Sequence, residues 1–81
     1  MWIYLAFNYM ATNKDPILNK LAARIEYLRK QKGLTQEQLA HEAKLHRAYF
    51  WDIENGRNIS VLTAHKVAKA LGVSLSQLFD I

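Results

Sequence analysis

The chain has 81 residues, 51% of them hydrophobic and 22% charged, with a net charge of +4. That length allows one domain with a modest core, and that hydrophobic share excludes a disordered polymer. Cysteine is absent, which excludes a disulfide framework and a thiolate metal site, while the basic balance suits a polyanionic partner without establishing one.

The charge is uneven. Residues 1–13 carry no charged side chain, and all eleven Lys and Arg fall between Lys14 and Lys69. The opening run MWIYLAFNYMA is strongly apolar but shorter than the roughly 20 residues that cross a bilayer. It lacks the basic start and the Ala-x-Ala site of a secretory signal. Trp2, Ile3, Tyr4, Leu5, Phe7 and Tyr9 favour a strand. Met10 opens a polar stretch, MATNKDP, that reads as a natural start. Residues 1–13 are therefore expected to form an apolar arm that packs on a second subunit or on the chain's own domain. Residues 14–81 are expected to form that domain.

Asp15-Pro16 marks a helix start, with Asp as N-cap and Pro at the first helical position. Leu18, Leu21, Ala22, Ile25 and Leu28 supply the apolar face, and Gly33 ends the helix after Arg29, Lys30 and Lys32. Thr35 caps a second helix, with Gln38 completing a capping-box pattern. Leu39, Ala40 and Ala43 share one face of it. The apolar phase then restarts: Leu45, Tyr49, Phe50 and Ile53 form a new stripe, closed by Gly56. One continuous helix would not need that reset. Ser60 caps a fourth helix, whose inner face is expected to hold Leu62, Val67, Ala68 and Leu71, with Gly72 as its stop. Ser74 starts a short fifth helix carrying Leu75, Leu78 and Phe79.

Catalysis finds no support in this pattern. His41, Glu42 and His46 suggest a metal motif, but the histidines stand five apart rather than the four that share a helical face. There is no nucleophile and base pattern and no glycine-rich phosphate loop. The expectation is a protein that is not an enzyme and uses no cofactor.

Gly33-Leu34-Thr35-Gln36-Glu37-Gln38-Leu39-Ala40, then Ala43, Leu45, Tyr49-Phe50 and Ile53-Glu54-Asn55-Gly56, resembles the Cro/cI-type, lambda-repressor-like helix-turn-helix family. The likeness continues through Val67-Ala68-Lys69-Ala70-Leu71-Gly72-Val73-Ser74-Leu75 and spans residues 18–79. It implies an all-α, compact five-helix DNA-binding domain, here with the apolar arm in front. It also implies a cytoplasmic transcriptional regulator, a homodimer on a palindromic operator of double-stranded DNA, away from any membrane. Two other roles known in this fold stay open: an antitoxin that also binds a toxin protein, and a restriction-modification controller.

The resemblance places the third helix in the major groove. Arg47, Ala48, Trp51 and Asp52 then become the candidate base contacts. Arg47 can bond guanine O6 and N7 together, or meet a phosphate. Ala48 can touch a thymine methyl or simply leave space. Asp52 can accept from cytosine N4 or orient an arginine. Trp51 packs on a sugar or thymine methyl, or covers the groove between the second and third helices. Gln36, Tyr49, Arg57 and Asn58 are the candidate phosphate contacts, with Tyr49 also serving the core. Arg29 and Glu54 match a structural ion pair, and Leu75, Phe79 and Ile81 match a dimer interface. Lys44 departs from the pattern, because the family commonly has Gly in that turn.

Overall fold

The computed structural model describes residues 15–81. The apolar arm expected over residues 1–13, and Lys14 after it, lie outside the described residues. Five helices follow in order: α1 (Pro16–Gln31), α2 (Gln36–Glu42), α3 (Arg47–Glu54), α4 (Val61–Leu71) and α5 (Leu75–Leu78). No strand occurs among the described residues.

Local chemistry sets nearly every boundary. Asp15 Oδ1 accepts from the Ile17 N–H at 3.0 Å, with Pro16 at the first helical position. Thr35 and Gln38 exchange two bonds, backbone to side chain in each direction, at 2.8 and 3.1 Å. Ser74 and Gln77 repeat that reciprocal cap at the start of α5. Ser60 Oγ accepts from the Thr63 N–H at α4. Each cap satisfies amide donors that a helix start leaves unpaired. His46 occupies the N-cap of α3 without a side-chain cap bond.

The first four helices end in one way. A residue with positive φ follows the last turn, and two backbone bonds reach back across it. The pairs are Gly33 to Lys30 with Leu34 to Arg29, Lys44 to His41 with Leu45 to Ala40, Gly56 to Ile53 with Arg57 to Asp52, and Gly72 to Lys69 with Val73 to Ala68. Three of these positions are glycine. The fourth is Lys44, with φ at 60°.

Ile25, Leu39, Phe50, Ile53, Val67 and Leu78 are fully buried and draw one core from all five helices. Leu28, Leu34, Leu45, Tyr49 and Leu75 pack around it, half-buried. One expectation fails: Leu62 is 62% exposed, and Ala64, at 1%, takes the inward position. Inward residues of α4 are Ala64, Val67, Ala68 and Leu71. Two residues turn a helix by about 200°, so a face that holds Ala64 turns Leu62 to solvent.

Candidate nucleic-acid interface

Helix α3 has two unlike sides. Phe50 and Ile53 are buried, whereas Arg47, Ala48 and Trp51 are exposed and Asp52 is half-buried. The exposed row faces the first turn of α2 across a shallow groove lined by Thr35, Gln36, Glu37, Arg47, Ala48, Trp51 and Asp52. The four candidate base contacts thus stand beside Gln36 and the first turn of α2. That combination suits a phosphate at the helix end and base edges along α3.

A buried polar junction fixes how α3 sits. Arg29 Nε donates to Glu54 Oε2 at 2.8 Å and Nη2 to Oε1 at 3.1 Å, while Nη1 donates to the Leu34 carbonyl at 2.8 Å. Both side chains are almost excluded from water, at 9% and 2% exposure. Gln36 Nε2 donates to the same Glu54 Oε1 at 2.9 Å. One carboxylate therefore ties α1, the start of α2 and the end of α3 together. Gln36 is a candidate phosphate contact. In the structure its amide N–H is engaged with Glu54, which aims the side chain from the protein side.

The two arginines of the exposed surface each meet a carboxylate. Arg47 Nη1 lies 3.7 Å from Glu37 Oε2, in open solvent. Arg57 Nη1 lies 3.2 Å from Asp52 Oδ2, and its guanidinium sits over the Tyr49 ring at 4.8 Å. Asp52 thus accepts a hydrogen bond from Arg57. The hydroxyl-bearing ring of Tyr49 is half-buried, packed on the core below and covered by Arg57 above. Trp51 is 54% exposed, and its carbonyl accepts from Asn55 Nδ2 at 2.8 Å. Asn58 is exposed but borders a separate groove with Ile17 and Phe79. Sequence reasoning missed Glu37 as the partner of Arg47. The pair joins two helices across a turn, and no spacing rule within one helix announces it.

Leu75 is half-buried against the core, while Phe79 and Ile81 are 41% and 45% exposed. Among the described residues, no three His, Asp or Glu side chains come together in a way that could hold a metal ion. No helix among them is long and apolar enough to cross a membrane.

A helix with one side buried and the other open, seated on a second helix across a tight turn, has the form of a helix-turn-helix DNA-binding domain. The helix-turn-helix family matches residues 25–78. The chain belongs to the Cro/cI-type helix-turn-helix family of DNA-binding transcriptional regulators. It is 43% identical over 59 residues to the control protein C.MunI of Mycoplasma sp, covering 70% of this chain and 80% of that protein. Among solved structures it is similar to the restriction-modification controller C.AhdI of Aeromonas hydrophila. There the identity is 40% and the TM-score 0.73, over 75% of this chain and 94% of the other. SinR, a biofilm regulator solved in complex with DNA, aligns at 34% identity and a TM-score of 0.69 over 74% and 98% of the two chains.

Proposed function

We propose that the protein acts as a homodimer on a palindromic operator, with α3 of each protomer in the major groove. The carrying observation is the row Arg47, Ala48, Trp51 and Asp52 on the open side of α3, beside Gln36. Arg47 reads a base pair through its guanidinium, which can leave the exposed Glu37 carboxylate at little cost. Gln36, Tyr49, Arg57 and Asn58 hold phosphates and set the register, and supply affinity more than sequence choice. The exposed Phe79 and Ile81, with Leu75 behind them, form the two-fold contact. Half-site centres then lie about one helical turn, roughly 34 Å, apart. Regulation follows from position: the bound dimer excludes or recruits polymerase, in the cytoplasm where the DNA is.

A more particular reading has support of its own. C.AhdI is a restriction-modification controller protein and C.MunI a control protein, and each aligns over most of its length. The regulated genes are then those of a restriction-modification system. An antitoxin role has no counterpart among these relatives. The test is recovery of the DNA bound in cells: promoters of a restriction-modification cassette support the reading, and enrichment only at unrelated promoters contradicts it.

A further inference from the structure

The grooves lined by Arg47, by Lys66 and by Arg24 each carry charged side chains. A fourth groove carries none. It runs between the first two turns of α1 and the loop joining α3 to α4, and Ile17, Leu18, Leu21, Ile59, Val61 and Phe79 form its apolar wall. Its polar lining is Asn58 and Ser60, and the Ser60 hydroxyl is already engaged with the Thr63 N–H and hydroxyl. Ile17 is 54% and Val61 72% exposed, so two large aliphatic side chains stand in water at its rim. Its volume of about 180 Å³ suits one aromatic ring, since an apolar cavity of roughly 150 Å³ takes up benzene.

The segment ahead of α1 matches this groove in kind. Residues 1–13 carry no charge and hold Trp2, Tyr4, Phe7 and Tyr9 among aliphatic residues. Strand alternation puts Ile3, Leu5, Phe7 and Tyr9 on one face. Phe7 is the ring of that row with no hydroxyl for burial to strip of water. The tether is short: residues 10–14 span at most about 18 Å. Ile17 to Leu21 cover about 6 Å of the α1 axis, so residues before Met10 can turn back along the groove.

We infer that this groove docks the chain's own N-terminal segment, residues 2–9, with the Phe7 ring seated among Ile17, Ile59 and Val61. Charge, size and tether select that occupant together. An acidic or basic partner finds no counter-charge in the lining. A separate apolar partner has to displace a tethered segment whose effective concentration is on the order of millimolar. Phe79 closes one end of the groove and also belongs to the proposed two-fold contact, so the same segment of a partner subunit is the rival occupant. The short tether favours the segment's own protomer. Docking here is independent of what α3 binds.

The test is NMR on the full chain, with isotope-labelled and unlabelled chains mixed. Nuclear Overhauser contacts should link the Phe7 ring to the methyl groups of Ile17, Ile59 and Val61 within labelled chains, and pass over those of Ile81. Val61→Asp should abolish these contacts and speed chymotrypsin cleavage within residues 2–9 by about tenfold or more, equivalent to 1.4 kcal/mol. Leu62→Asp introduces the same charge one residue on, and should leave both readouts nearly unchanged. Both substitutions fall in the first turn of α4, where an acid suits the helix dipole, so neither threatens the fold. Equal acceleration in the two variants would overturn the inference, as would Phe7 contacts confined to Tyr27 and Ile81. Contacts seen only between labelled and unlabelled chains would assign the groove to the partner's segment and overturn it too.

Discussion

Arg29 and Glu54, on α1 and α3, meet through two hydrogen bonds of 2.8 and 3.1 Å with both side chains nearly buried. Gln36 joins them on the same carboxylate. The Arg29 guanidinium and the Gln36 amide at the start of α2 thus share one atom, Glu54 Oε1. Burial makes this junction costly to break from one side, since the remaining charge has no water to turn to. Glu54→Ala is expected to destabilise the domain by about 3–5 kcal/mol. Urea unfolding checks it, and a loss below about 1 kcal/mol would place the junction among weak surface pairs.

Lys44→Gly should act the other way. Relief of the left-handed backbone gains roughly 1–2 kcal/mol, and the looser unfolded chain returns about 0.5–1 of it. The net expectation is a small rise in stability, read as a higher urea midpoint with an unchanged slope. A lower midpoint would show that Lys44 makes contacts that outweigh its strain.

Trp51 separates binding from stability. With more than half of its surface exposed, Trp51→Ala should change stability by no more than about 0.5 kcal/mol. Its place in the groove with Gln36 and Arg47 predicts weaker binding to cognate DNA. Thermal unfolding and gel-shift titration of one preparation check both halves, and a large fall in melting temperature would make Trp51 a packing residue instead.

The proposed two-fold contact has a comparable internal control. Phe79→Asp should leave the helical circular dichroism intact and shift sedimentation to the monomer. Leu78→Asp, at a fully buried neighbour, should unfold the chain. A Phe79→Asp protein that still sediments as a dimer would move the interface elsewhere.

What could be seen in the sequence was local. Asp15-Pro16, Thr35 with Gln38, Ser60 and Ser74 act within one helical turn, so residue type and spacing suffice to place the helix starts. The same holds for Gly33, Gly56 and Gly72, whereas Lys44 stands out only against the family's usual glycine. Leu62 misled because α4 offers Leu62 and Ala64 within one turn, and the larger apolar residue was given the core. The phase is set by packing against α2 and α5, which no local rule contains. At the site, Arg47, Ala48, Trp51 and Asp52 could be placed together from the helical period alone. Their partners could not: Glu37 for Arg47, Arg57 for Asp52 and Glu54 for Gln36 come from other elements. Those partners decide which candidate side chains are already engaged before DNA arrives.

Arg47 is the proposed main base contact of a DNA-reading α3. Selection of bound duplexes from random DNA, run on the wild type and on Arg47→Ala and Gln36→Ala, tests that role. A two-fold symmetric consensus is expected for the wild type, with half-sites about one helical turn apart. Arg47→Ala should lose preference for guanine at one position per half-site, by about 1–3 kcal/mol. Gln36→Ala should keep the consensus and bind all sequences more weakly. A consensus unchanged in Arg47→Ala, or no consensus from the wild type, would contradict it.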